Sequence, residues 1–237
     1  VILVPFHAWY EIRKLRRAGV PVVRAHEKLG HATATREGVG PLIWFHAASV
    51  GESLSVLALI GEIGKQAPRA HFLITSGTAT SAEVLGRRLP PRTVHQFAPL
   101  DSPGPIDRFL QHWRPNGVVF VESELWPQML RRTRDRTEAR MVLVNARLSP
   151  ASQRAWKRRP ETAAYVLSVF DLILAQNDKM AQVMVDLRAP ADRVARGINL
   201  KALANPLPQD PALLAQIRTR LKGRPVWVAA STHRGEE

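Results

Sequence analysis

Short apolar runs rich in β-branched residues return at intervals along this chain: Leu42–His46, His71–Thr75, Thr93–Phe97, Gly117–Val121, Met141–Asn145, Leu172–Ala175 and Val226–Ala229. Helical stretches separate them. Strand runs without polar alternation belong to sheets covered on both faces, so the pattern predicts an α/β fold: a Rossmann-like α/β/α layering around a parallel sheet. In such sheets the chemistry gathers at the carboxyl ends of the strands, which directs attention to the residues just after each run.

Those residues are polar. Ala47-Ala48-Ser49-Val50-Gly51-Glu52 follows the first run, Ser76-Gly77-Thr78-Ala79-Thr80 the second and Pro99-Leu100-Asp101 the third. Glu122-Ser123-Glu124-Leu125-Trp126-Pro127 follows the fourth, and Ala146-Arg147-Leu148-Ser149 the fifth. Ser49-x-x-Glu52 precedes an apolar-periodic stretch and is the spacing of a capping box, in which both side chains satisfy backbone amides at a helix start. The functional alternative is that Gly51 admits a substrate to the backbone while Glu52 accepts a proton from an attacking hydroxyl. Helix-terminal amides are expected to lower the Glu52 pKa and keep it ionised.

The Ser76–Thr80 loop has the hydroxyls and glycine of a phosphate or sugar cradle at a helix start, although ordinary caps look the same. It has neither a P-loop lysine nor a dinucleotide fingerprint. Glu122, Glu124 and Trp126 together suit a carbohydrate, with carboxylates as hydroxyl acceptors and the indole as a platform; equally, one acid could pair with a neighbouring arginine. Arg147 can fork onto a carboxylate or phosphate. The histidines are scattered without a pair at zinc-binding spacing, so no metal is expected.

The balance of 34 Lys and Arg against 20 Asp and Glu, a formal net charge of +14, points to an anionic partner: nucleic acid, acidic lipid headgroups or a phosphorylated substrate. The basic residues cluster at Arg13–Arg17, Arg131–Arg136 and Arg154–Arg159. Val1–Phe6, followed by Arg13, Lys14, Arg16 and Arg17, reads either as the end of an apolar segment with positive charge behind it or as an amphipathic first helix. No run reaches the ~20 apolar residues that span a bilayer. Without cysteine, disulfides and thiolate chemistry are excluded. Prolines between Ala204 and Pro211 read as an interdomain hinge, and Ser231–Glu237 as the strand-to-helix turn that opens a second domain.

Taken in order, His46-Ala47-Ala48-Ser49-Val50-Gly51-Glu52, Pro99-Leu100-Asp101, Glu122-Ser123-Glu124-Leu125-Trp126-Pro127, Asn145-Ala146-Arg147-Leu148-Ser149, Asn199-Leu200-Lys201 and Ser231-Thr232-His233-Arg234-Gly235-Glu236-Glu237 resemble the bacterial Kdo (3-deoxy-D-manno-octulosonic acid) transferases of lipid A biosynthesis. The resemblance implies an inverting glycosyltransferase of GT-B fold that moves Kdo from CMP-Kdo to a lipid A precursor without a metal or other cofactor. It implies a place on the cytoplasmic face of the bacterial inner membrane, with the lipid A precursor and an anionic membrane surface as partners and no nucleic acid.

On that reading residues 1–30 are a membrane-proximal helical segment, 31–203 the acceptor-binding domain, 204–224 the hinge and its helix, and 225–237 the start of the CMP-Kdo domain. Glu52 is then the general base. Ser49, Gly51, Ser76, Gly77, Thr78, Asp101, Glu122, Glu124, Trp126, Arg147 and Lys201 bind substrate, and Ser231, Thr232, His233 and Glu236 open the donor site. The chain alone is expected to be inactive. Gly197-Ile198-Asn199 carries one residue more than the family's glycine–asparagine pair, and Met184–Pro190 departs from its arginine and glycine pattern.

Two rivals stand beside this reading. A sugar-nucleotide epimerase of the same architecture would also place carboxylates at strand ends. A nucleic-acid-binding protein would use the charge, but no recognition-helix, RRM or KH signature is present and aromatics make up only 6% of the chain, so stacking platforms are scarce.

Overall fold

Alternate strand residues face opposite sides of a sheet, and both sides are apolar in this chain. Leu42 and Trp44 of β1 (Leu42–His46) enter one core while Ile43 and Phe45 enter the other. The same division holds in β4 (Gly117–Val121), with Val118 and Phe120 opposed to Val119 and Val121, and in β5 (Arg140–Ala146), with Met141 and Leu143 opposed to Val142 and Val144. A sheet that is apolar on both faces needs a helical layer on each.

The computed structural model describes residues 3–36, 38–197, 199–200, 209–230 and 232. The chain divides into two units, 1–204 and 205–237. In the first, the described strands form a seven-stranded parallel sheet of order β3-β2-β1-β4-β5-β6-β7, completed by β2 (His71–Ser76), β3 (Thr93–Phe97), β6 (Leu172–Ala175) and β7 (Val194–Arg196). The Rossmann-like fold class read from the sequence is therefore the fold observed. β7 was not among the predicted runs; it has three residues, one partly buried and two exposed, and so carries no apolar signal.

Two helices, α1 (Leu3–Arg17) and α2 (Val22–Ala25), precede β1 and pack onto β3 through Leu15, Val20, Ala25 and Phe97. Then α3 (Val50–Gln66) and α4 (Ala79–Gly86) cover one face with Val56, Ile60 and Leu85. On the other face α5 (Pro103–Trp113) and α6 (Pro127–Arg136) contribute Ile106, Phe109, Trp113, Met129 and Leu130. After α7 (Pro150–Lys157), α8 (Pro160–Leu167) and α9 (Asp178–Asp186) add Val166, Leu167 and Met184 to that core. Burying an aliphatic or aromatic side chain of this kind is worth about 1.5–3 kcal/mol relative to leaving it exposed.

The strand order reverses between β1 and β4. From β1 the chain winds outward through β2 to β3, then returns to place β4 on the opposite side of β1. At such a switch point the loops after the two strands diverge to opposite faces and leave a crevice between them. Glu52 follows one of these strands, and Glu122 and Glu124 follow the other.

In the second unit α10 (Pro211–Leu221) starts with proline at its first position, and the Asp210 carboxylate accepts from the amides of Ala212 at 2.8 Å and Leu213 at 3.2 Å. The strand expected over 226–229 is not formed. Its Val226, Trp227 and Val228 are exposed, and no described residue pairs with it; an extended segment without a hydrogen-bonded neighbour is not a strand. Most of the expected hinge, 201–208, lies outside the described residues.

Candidate active site

Glu52 is positioned by the turn from β1 into α3. Ser49 is the N-cap, extended at φ −105° and ψ 165°, and its hydroxyl oxygen accepts from the Glu52 amide at 3.3 Å. The same hydroxyl donates to Glu52 Oε1 at 2.9 Å, and the Ala48 amide donates to Oε2 at 3.0 Å. The cap is thus present, with the carboxylate bonded one residue earlier than in the usual box. A methyl group added at Gly51 would meet nothing within 4 Å, so space beside the carboxylate is open.

The Glu52 pKa lies above the ordinary carboxylate value, opposite to the expectation from its helix-terminal position. Burial is the largest cause and the Glu124 carboxylate the next, with Glu122 adding to them; the bonds from Ser49 and Ala48 only partly offset these. A raised value brings the carboxylate closer to the proton affinity useful to a base near neutral pH.

Glu124 sits across the crevice from the β1 end, where His46 Nε2 approaches its Oε2 to 3.4 Å and the Trp126 indole donates to the same oxygen. Burial acts to raise the Glu124 pKa, but the hydrogen bond and charge of His46 and the Trp126 bond bring it below the ordinary value. His46 is orientated from below. The Trp44 indole donates to Thr75 Oγ1 at 2.8 Å, and that hydroxyl lies 2.9 Å from His46 Nδ1. That hydroxyl is also 3.4 Å from the Phe45 carbonyl, to which it can donate, so Thr75 holds Nδ1 while Nε2 faces Glu124. Apart from that approach, Nε2 has no hydrogen-bond partner among the described residues. His46 and Thr75 were not among the sequence-derived candidates. The signal was available in His46 as the last residue of β1.

Glu122 and Asn145 end adjacent strands and both adopt left-handed backbone, at φ 55° and 53°. Such conformations cost non-glycine residues free energy and persist where the surroundings fix them. Asn145 Nδ2 donates to Glu122 Oε1 at 3.2 Å, and Arg147 stands 4.0 Å from Oε2. Glu122 is buried and Arg147 half exposed.

A cleft of ≈ 480 Å³ opens beside these groups. Among the candidates, Gly77, Asp101 and Trp126 line it together with His46 and Ala48; Glu52 is not part of the lining but is bonded to Ala48, which is. Trp126 is 42% exposed, a half-open aromatic face of the kind that sugars stack on. Asp101 turns its carboxylate to the start of α6, accepting from the amides of Met129 at 2.6 Å and Gln128 at 3.4 Å. Burial raises its pKa against these bonds.

Other candidates are engaged elsewhere. Ser76 points inward, with its Oγ 2.9 Å from His95 Nε2 and accepting from Ser81 at 2.7 Å. Thr78 forms a reciprocal capping box with Ser81. These bonds account for the Ser76 and Thr78 hydroxyls of the expected cradle, while Thr80 is exposed. Thr232 is exposed in the second unit, while Lys201, Ser231, His233 and Glu236 lie outside the described residues.

Residues 23–204 match the family model described as 3-deoxy-D-manno-octulosonic-acid transferase (kdotransferase). The chain is 39% identical over 196 residues to the 3-deoxy-D-manno-octulosonic acid transferase of Rickettsia felis, covering 83% of this chain and 41% of that protein. It is 34% identical over 234 residues to a probable mitochondrial 3-deoxy-D-manno-octulosonic acid transferase of Arabidopsis thaliana, covering 97% and 51%. The chain therefore spans about half or less of the length of these relatives. Among solved structures it is similar to UDP-GlcNAc 2-epimerase from Neisseria meningitidis, with TM-score 0.51, 14% identity, and 77% of this chain and 51% of that one covered. That likeness shows a GT-B-like fold and nothing of the chemistry. With a family match over most of its length and transferase relatives above 30% identity, the chain belongs to the 3-deoxy-D-manno-octulosonic-acid (Kdo) transferase family.

Proposed function

We propose that this chain is the acceptor-side half of an inverting glycosyltransferase that transfers Kdo from CMP-Kdo to a lipid A precursor in lipopolysaccharide biosynthesis, with Glu52 as its general base. The observation that carries this reading is the Glu52 carboxylate, held at the β1–β4 switch point with its pKa raised by burial and by two further carboxylates. A residue serving only as a cap gains nothing from that environment, whereas a base does.

In this reading an acceptor hydroxyl is placed within hydrogen-bond reach of Glu52. As its oxygen forms the new bond to the anomeric carbon, the proton passes to a Glu52 oxygen, and the bond to CMP breaks on the opposite face, inverting the centre. Ser49 and the Ala48 amide hold the carboxylate in one orientation, so little reorganisation accompanies proton transfer. Glu124 and His46 tie together the two strand ends that bound the crevice, and Trp126 offers a surface for the sugar. The partner domain is assigned the CMP-Kdo site, with Ser231, Thr232, His233 and Glu236 at its opening, and Lys201 remains a proposed substrate contact. No cofactor or metal takes part.

The basic surface suits the cytoplasmic side of an inner membrane, where anionic lipid surrounds the acceptor. Among the described residues no helix is long and apolar enough to cross a membrane. Transfer of radiolabelled Kdo from CMP-Kdo to a lipid A precursor by the full-length protein tests the assignment. Product formation is expected; its absence with a folded enzyme and intact substrates would remove it.

A further inference from the structure

Lys28 is 6% exposed and lines the same cleft, facing it from a 3-10 turn over His26–Leu29. Among the described residues, no hydrogen bond or ion pair reaches its ammonium. Its neighbour Glu27 is committed elsewhere: the Glu27 carboxylate accepts from Arg24 at 3.2 Å, from the Phe97 amide at 2.7 Å and from the Thr33 hydroxyl. Glu11 lines the cleft and acts on Lys28 only through its field, without forming an ion pair. Burial pushes the Lys28 pKa down; Glu11 opposes this and Lys14 adds to it.

The turn is held firmly. Gly30 closes it at φ 83°, where a Cβ would lie 1.9 Å from the Pro105 carbonyl oxygen, and the Leu100 amide donates to the Lys28 carbonyl at 2.9 Å. The fixed turn therefore presents a largely buried lysine to the cleft, with the Glu11 carboxylate acting on it only at a distance, which leaves the ammonium available to an anionic group that enters. The rest of the wall includes Leu100, Trp126 and Met129, an apolar bed for a sugar or acyl body with one cation at its edge.

We propose that Lys28 binds an anionic oxygen group, phosphate or carboxylate, of the substrate that lies in this cleft against Trp126. The inference rests on the reading of the cleft as the acceptor pocket only for the substrate's identity; the anion site itself follows from the unpaired lysine. A lysine is a compact point charge, suited to tetrahedral phosphate without the bidentate geometry an arginine would impose.

The test is calorimetric titration of the 237-residue chain with glucose 6-phosphate, glucuronate and glucose, comparing the native protein with Lys28→Met and Lys28→Arg. The native chain is expected to prefer an anionic sugar over glucose by roughly 10-fold or more, Lys28→Met to lose that preference, and Lys28→Arg to keep most of it. Stronger binding of the phosphate identifies a phosphate subsite, and stronger binding of glucuronate a carboxylate subsite. Equal binding of all three sugars by the native chain overturns the proposal, as does an undiminished anionic preference in Lys28→Met. Urea unfolding supplies a second readout. Methionine of similar length should leave stability unchanged or raise it, and a large loss would show Lys28 to be a structural residue instead. Because these are binding and stability measurements, a normal transfer rate for a Glu52→Gln enzyme would remove the base assignment and leave this result standing.

Discussion

His46 and Glu124, 78 residues apart in sequence, meet at 3.4 Å across the ends of β1 and β4. Both are buried, and each is tied down on its other side, His46 by Thr75 and Glu124 by Trp126. The pair couples the two strand ends between which the crevice opens.

Replacing His46 by phenylalanine keeps a ring in the core but leaves Glu124 with the indole alone. Removing one partner from a buried polar pair typically costs about 1–3 kcal/mol. His46→Phe is therefore expected to lower the unfolding free energy measured by urea titration at neutral pH by that amount. A change of no more than a few tenths of a kcal/mol would show that the 3.4 Å approach carries no coupling.

For Glu52→Gln, capping and catalysis predict different outcomes. Glutamine still accepts from one side and costs no more than about 1 kcal/mol of capping. It also removes an ionisation that the fold disfavours. The folded pKa of Glu52 is raised, so its contribution to stability is fully present below the unfolded value of 4.5 and is lost as pH rises through the folded value. The variant should lack that loss. In the full-length enzyme, transfer should fall roughly 10²–10⁴-fold while acceptor binding persists. Near-normal turnover where chemistry limits the rate would return Glu52 to the cap.

A separate pH effect belongs to His95. Burial, and then the charge of Arg24, push its pKa down from 6.5 to about 3. Arg24 donates to its Nδ1 at 2.8 Å, so Nε2 carries the proton to Ser76. The folded value is depressed, so the stabilisation is complete above 6.5 and is lost as pH falls toward about 3. Urea midpoints measured across that window should decline for the native chain and decline less for His95→Gln; parallel curves would contradict this.

Surface chemistry predicts binding to anionic vesicles. Phe6, Trp9 and Tyr10 are exposed on α1, the Arg13 guanidinium lies 4.9 Å from the Trp9 ring, and the net charge is +14. Exposed charges are screened over ~8 Å at physiological ionic strength, so sedimentation with anionic vesicles should weaken as salt rises. Equal sedimentation with neutral vesicles would sink the idea.

The sheet was legible because strands buried on both faces leave apolar runs, and the rim because strand ends leave polar residues behind them. Tertiary contacts were not. The helix start beside Glu52 is visible locally and argues for a lowered pKa, whereas the carboxylates that raise it arrive from β4, about seventy positions later. Ser76 looked like a ligand group until His95, on the neighbouring strand, took its hydroxyl. Val226–Ala229 has the composition of a strand, but composition does not supply a hydrogen-bonded neighbour.

The paired left-handed residues at the ends of β4 and β5 bear on how this protein can change. Glycine at position 122 would relieve a conformation that costs a side-chain-bearing residue on the order of 1–3 kcal/mol, and in doing so would delete a carboxylate from the crevice. The same glycine would leave the buried Asn145 Nδ2 without its acceptor, a loss of similar size that offsets the relief. The two positions are therefore expected to change together or not at all.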